Sequence, residues 1–283
     1  MSGTGAGRGR RAAAALAALL ALTLTGCGED RPSPGPGQDR TAPPQASAPA
    51  ATGQAPFRVL VFTRTAGFRH RSIQDGVAAL RRLGGQRGFE VDDTADATRI
   101  GGQGLAGYQA VVFLSTTGDV LDGGQQAALE RYVRGGGGWV GVHAAADAEY
   151  AWPWYGGLVG AWFLRHPAVQ RAAVLPDPGA GALAGALPPR WERTDEWYDF
   201  KANPRGRARV LATVDESTYS GGVMGGDHPI AWCHEYDGGR AWYTAMGHTS
   251  ESFQEPLFQD HLLAGVRYAA GLGGTRCGPG PSG

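Results

Sequence analysis

The sequence predicts an α/β domain: a three-layer sandwich whose central sheet is mainly parallel and carries helices on both faces. Three observations lead there. Short apolar runs of strand length alternate with amphipathic helical segments through the first half of the chain. One run, AVVFLS at 110–115, is apolar throughout, as strands buried on both faces are. A third, GGGGWVGVHAAAD at 135–147, reads as a glycine-led strand that delivers His143 to the rim of a sheet.

Taken in order, Phe57–Phe62 (FRVLVF) is a strand. Ser72–Leu83 is a helix, with a capping box from Ser72 and Asp75 and a stripe of Ile73, Val77, Leu80 and Leu83. Phe89–Asp92 is a short strand and Ala110–Ser115 a buried one. Asp122–Arg134 is a helix with Asp122 at its N-cap and Gln125 closing a second box. Gly135–Gly138 end that helix, and Gly141 lets neighbouring groups approach the strand Trp139–His143 closely. The second half is less regular. Arg171–Leu175, Val210–Val214, Pro229–Tyr236 and Arg240–Ala245 read as strands, and Pro256–Ala270 as a closing helix.

The ends differ from this pattern. Arg8, Arg10 and Arg11 precede an apolar stretch at 12–24 that is too short to span a bilayer, and Leu24-Thr25-Gly26-Cys27 follows. That order predicts a lipoprotein leader over 1–27, cut before Cys27, with lipid on the Cys27 sulfur. Residues 28–56 are rich in Pro, Ala, Gly and Ser and read as a disordered tether; 272–283 read as a disordered tail. One folded domain, 57–271, lies between. The expected location is extracytoplasmic, held to the membrane by the lipid. Formal net charge is zero, with 26 basic and 26 acidic residues and no basic stripe, so nucleic acid is not an expected partner. Cys233 and Cys277 have no metal-ligand spacing; an exported chain could pair them, but spacing alone leaves the pairing open.

Ligands of open parallel sheets bind beyond the carboxyl ends of the strands. That rule selects the loop Thr63–Ile73 with Phe68 and His70, the loop Ser115–Asp119, His143 with Asp147, and Gly247-His248. His166 and the run Asp195-Glu196-Trp197-Tyr198 fall in irregular insertions of the kind that cover sites. A lone histidine is more often structural than catalytic, and His228, His234 and His261 are read as turn or packing residues. His70, His143 and His248 differ, because three separate segments bring the same residue type to one rim. Five of the eight tryptophans fall between 152 and 197, and aromatic faces suit a sugar ring, although core packing accounts for about half of them.

Six stretches in order resemble the trehalose-utilisation, or ThuA-like, family: GFRHRSI, GGGWVGVHAAAD, WPWYGGLVGAWFLRHP, DEWYDF, PIAWCHEYDGGRAWYTAMGH and GVRYAAG. They cover about residues 57–271. The resemblance implies a flavodoxin-like, class I glutamine amidotransferase-like fold. In those amidotransferases a cysteine stands after the strand that here ends in His143. No cysteine is near His143, so thiolate glutamine hydrolysis is excluded.

Three roles remain open for His143. The first is metal ligation: His143 and His248 with Glu196 would form a two-histidine, one-carboxylate set for a divalent ion such as Zn, with His70 or His166 as substitutes for Glu196. The second is acid–base work by His143, with Asp147 or Asp195 orienting its imidazole. The third is ligand binding without chemistry. His70, Asp119, Trp162, His166 and Tyr198 are the expected substrate contacts. The resemblance implies carbohydrate metabolism, with trehalose, a related disaccharide or its keto form as ligand. The expected protein is therefore a surface-anchored, metal-assisted hydrolase or isomerase of a small carbohydrate, with no nucleotide cofactor; the alternative is a sugar-binding lipoprotein.

Overall fold

The computed structural model describes residues 56–184, 187–272, 274 and 276–278. The expected leader, Cys27 and nearly all of the tether lie outside the described residues. In chain order the elements are β1 (Phe57–Phe62), α1 (Ile73–Arg87), β2 (Phe89–Thr94), β3 (Ala110–Leu114), β4 (Thr117–Gly118), α2 (Gly123–Arg134), β5 (Gly138–Val142), β6 (Asp147–Ala148), α3 (Pro153–Val159), β7 (Phe163–Arg165), β8 (Gln170–Pro176), β9 (Trp191–Asp195), β10 (Asp199–Phe200), β11 (Arg209–Asp215), β12 (Pro229–Tyr236), β13 (Gly239–Thr244) and α4 (Pro256–Ala269).

Nine strands form one mixed sheet, in the order β2-β1-β3-β5-β13-β12-β11-β8-β9. From β2 to β13 every pairing is parallel. From β13 to β9 every pairing is antiparallel. The expectation of a mainly parallel sheet therefore holds for the first five strands and fails for the other four. Parallel neighbours need a crossover of a dozen or more residues, whereas antiparallel ones can join through a tight turn. Asp237-Gly238 is such a turn, with φ of 47° and 93°, and it joins β12 to β13.

The parallel strands sit in the core as their composition requires. All five residues of β3 and all five of β5 are buried. Each fully buried Val, Leu or Phe contributes about 1.5–3 kcal/mol of transfer free energy. Gly141 is needed in β5, because a methyl group there would overlap the Trp139 and Tyr243 rings.

Two local expectations are revised. The box at Asp122 and Gln125 forms, with both hydrogen bonds at 2.9 Å. The one at Ser72 does not: Ser72 makes no cap bond, and its hydroxyl donates to the Gly247 carbonyl at 3.1 Å. Helix α1 also runs past Leu83 to Arg87 and stops at Gly88, φ 77°. β9 was not anticipated. Its sequence WERTD alternates buried and exposed, but the buried positions are Trp191, Arg193 and Asp195, so a buried ion pair conceals the apolar alternation.

Cys233 and Cys277 form a disulfide, both fully buried, with Cα atoms 5.7 Å apart. The tail expected to be disordered from 272 is thus anchored at Cys277. Among the described residues no helix is long and apolar enough to cross a membrane.

Candidate metal centre

Strand direction builds the site. β5 and β13 are parallel with Thr244 opposite Val142, so the residues after both strands leave the sheet on the same side. Four successive antiparallel steps separate β13 from β9, and an even number restores the direction. β9 therefore also ends at this rim, and Glu196 follows it directly. β1, parallel to β3 and through it to β5, leads into the loop that carries His70.

His143 is fully buried at φ 51°, the left-handed region that non-glycine residues seldom occupy. This is the sharp strand-to-helix elbow implied by the family resemblance, and a 3-10 turn begins at His143. Backbone strain of this kind persists where the surroundings over-determine it. Here the Tyr243 hydroxyl donates to the His143 carbonyl at 2.8 Å, and the Tyr198 ring lies 4.4 Å from the imidazole. His143 Nδ1 donates to the Ala245 carbonyl at 2.7 Å. In the neutral ring, Nε2 then presents a lone pair.

That lone pair faces three more donor side chains. His143 Nε2 lies 3.1 Å from His70 Nε2, 3.3 Å from His248 Nδ1 and 3.4 Å from the Glu196 carboxylate. His248 Nδ1 lies 3.2 Å from the same carboxylate oxygen. One ligand-capable atom from each of His70, His143, Glu196 and His248 falls within 4.8 Å of the others. The set can hold a divalent ion, since neutral imidazoles and a carboxylate are ordinary ligands of such cations. The other Glu196 oxygen lies 3.0 Å from His166 Nδ1, at the exposed mouth of the cluster.

The electrostatics follow from this packing. Burial, then the neighbouring His143 and His248, pushes the His70 imidazole down to about 3. Burial alone would raise the Glu196 carboxyl, but the neighbouring His143 and His248 imidazoles outweigh it and hold the group well below the usual carboxylate range. The Glu196 hydrogen bond raises His248 against the opposing effect of burial. The cluster therefore favours an ionised carboxylate among imidazoles.

A match to the family model for trehalose utilisation spans residues 58–269. The chain belongs to the ThuA family. A crystal structure of a ThuA-like protein from Bacteroides uniformis is 26% identical, with a TM-score of 0.66, over 79% of this chain and 95% of that one. A ThuA-like protein from Parabacteroides merdae is 21% identical, with a TM-score of 0.65, over 80% and 96%. A β-galactosidase from Rahnella sp. R3 shares the fold over 81% of this chain and 33% of its own, at 18% identity and a TM-score of 0.50. No curated protein of established function matches the chain.

Within this ThuA chain the rim residues divide by role. His143, Glu196 and His248 come together, and His70, expected as a substrate contact, lies in the same cluster as a fourth ligand-capable side chain. Asp195 does not orient an imidazole. It is fully buried and accepts hydrogen bonds from the backbone N–H groups of Glu196 (2.9 Å), Gly247 (2.9 Å) and His248 (3.0 Å). Arg193 pairs with it at 3.0 Å. Asp195 thus ties the end of β9 to the loop after β13 and sets the positions of both Glu196 and His248. Gly247, φ 114°, gives that loop its turn.

Asp147 does not orient His143 either, since the Ala245 carbonyl does so. Asp147 accepts from the Tyr150 hydroxyl at 2.8 Å, and burial raises its carboxyl despite that bond. Tyr150 in turn carries the Lys201 ammonium 3.8 Å above its ring. Tyr198 packs on His143. Trp162 is half-buried and donates to the Ala148 carbonyl at 3.1 Å. Asp119 is exposed and outside the cluster. Trp191 and Trp197 are buried core residues, whereas Phe68 is 66% exposed with its ring edge-on to His70 at 4.8 Å. Sequence reasoning passes over Glu149 and Arg193, and it reads Ser72 only as a helix cap. Buried Glu149 accepts from the Val120 and Leu121 N–H groups, each at 2.9 Å, and so fixes the loop after β4.

Proposed function

We propose that this ThuA-family chain is an extracytoplasmic enzyme of carbohydrate metabolism that works at a divalent metal centre. The observation that carries the reading is the convergence of His70, His143, Glu196 and His248 from four rim segments, with His143 Nε2 turned toward the other three. The trehalose-utilisation family supports a small carbohydrate, such as trehalose, a relative or its keto form, as the ligand. A class I glutamine amidotransferase-like, three-layered frame is part of this reading. A bound divalent ion supplies Lewis-acid polarisation of a carbonyl or hydroxyl oxygen.

The chain's own groups do the rest. His143 is held in one tautomer by Ala245, so its ring does not reorient when a substrate arrives. Asp147, its carboxyl raised by burial, is the group able to hold and pass a proton beside the cluster, and Tyr150 fixes its orientation. Phe68 and His166 form the exposed mouth that meets the ligand. Hydrolysis or isomerisation both fit this arrangement.

Export and lipidation at Cys27 belong to the same proposal. The Cys233–Cys277 pairing supports it, since such bonds persist in oxidising compartments. The test is a screen of trehalose, related disaccharides and their keto forms with the full-length protein, with and without chelator. Turnover that chelator removes and added metal restores is the expected result. Turnover unaffected by chelator would overturn the metal reading; binding without turnover would leave a carbohydrate-binding lipoprotein.

A further inference from the structure

The two ring nitrogens of His166, at the mouth of the cluster, have different surroundings. Nδ1 lies 2.8 Å from the Pro167 carbonyl oxygen and 3.0 Å from a Glu196 carboxylate oxygen. A carbonyl oxygen only accepts, so Nδ1 carries the hydrogen and shares it between the two. In the neutral ring Nε2 is then a lone pair, and it has no hydrogen-bond partner among the described residues. The side chain is 41% exposed, and its ring stacks with Phe163 and Tyr198, centroids 5.9 and 6.0 Å away.

Polar groups beside this insertion are already engaged. The Tyr150 hydroxyl donates to Asp147 at 2.8 Å and lies 3.0 Å from the Phe163 carbonyl. The Trp162 N–H donates to the Ala148 carbonyl at 3.1 Å. Phe68 contributes only an apolar ring. His166 Nε2 is thus an unspent acceptor, and a ligand meets it well only with an O–H or N–H. An ether oxygen at the same place would set lone pair against lone pair.

The geometry points to His166 as a specificity-determining residue of the ligand site, its Nε2 accepting a hydrogen bond from a hydroxyl of the ligand. This inference rests on the carbohydrate reading proposed above and deepens it. The ligand class is a polyhydroxy compound with a free hydroxyl at His166, and derivatives whose oxygens there are alkylated are rejected. A site built to hydrogen-bond a hydroxyl discriminates strongly against an analogue that lacks it, because the protein group is left unpaired.

Diethyl pyrocarbonate, which acylates an imidazole through its free lone pair, reports on Nε2 directly. The full-length protein is treated with it alone, with trehalose, or with trehalose methylated at every hydroxyl, and the modified histidines are mapped by peptide mass. His166 should react first, trehalose should slow it, and the methylated sugar should not. Calorimetry supplies the second measurement. His166→Phe keeps a ring without an acceptor and should bind trehalose about tenfold more weakly; His166→Gln, whose amide oxygen accepts, should recover most of that loss. An unreactive His166, equal effects of the two sugars on its reaction, or unchanged affinity in His166→Phe would overturn this inference and leave the carbohydrate reading standing. A wild type that neither binds nor turns over any sugar of the screen would overturn both.

Discussion

His143 donates its Nδ1–H to the carbonyl oxygen of Ala245 across 2.7 Å, from the end of β5 to the residue just beyond β13. This one bond fixes the ring's tautomer and turns Nε2 toward His70, His248 and Glu196. Partners that hold a ligand's far nitrogen in this way commonly account for a tenfold to hundredfold effect on metal affinity.

Asparagine in place of His143 separates the two functions of that ring. An asparagine accepts the φ of 51° better than most residues, and its amide can still donate to Ala245. His143→Asn should melt within several degrees of the wild type and lose metal-dependent stabilisation. Thermal melts with and without added metal read both. A metal-dependent rise in Tm that survives the substitution would remove His143 from the ligand set.

Asp195→Asn should cost about 3–5 kcal/mol in chemical denaturation, because it leaves the buried Arg193 guanidinium without its nearest carboxylate. The same change loosens the Gly247-His248 backbone and should weaken metal binding. A variant as stable as the wild type would mean that Asp195 is not the clasp described above.

The parallel half of the fold was legible because its strands are apolar and its helices periodic. The antiparallel half was less so. β9 hides its alternation behind Arg193 and Asp195, whose mutual neutralisation no apolar pattern records. His143 and His248 were legible as strand-end residues. Glu196 looked like a distant insertion only because β9, which carries it to the rim, was unseen. His70 as a fourth donor, and Asp195 as a backbone clasp, depend on distances between segments more than fifty residues apart, which spacing along the chain does not encode.

Acid should destabilise the protein through its buried histidines. Burial holds His261 down to about 3 and His234 down to about 4, against an ordinary imidazole value near 6.5. Below pH 6.5 the unfolded chain takes up protons that the folded chain refuses, so stability falls as pH drops from about 6.5 toward 3–4. Each such histidine contributes a slope of up to about 1.4 kcal/mol per pH unit. His261→Leu should flatten that slope by one proton in denaturation curves collected from pH 7 to 4. An unchanged slope would mean that His261 titrates normally in the fold.

Breaking the Cys233–Cys277 bond should destabilise by about 4 kcal/mol in the chain-entropy model, given the sequence separation of 44. The double variant Cys233→Ala/Cys277→Ala should melt of order 10 °C lower than the oxidised protein. Thiol titration of the unreduced, denatured wild type should find both sulfurs blocked. Two reactive thiols at those positions would show that the bond does not form.

The central claim is a metal centre built around His143, and metal stoichiometry tests it most directly. Full-length wild type and His143→Asn are purified in parallel, exposed to equal divalent metal, desalted and measured by elemental analysis. The account predicts one tightly held ion per wild-type chain and none in the variant. A wild type that retains no ion, or a variant that retains as much as the wild type, would contradict it.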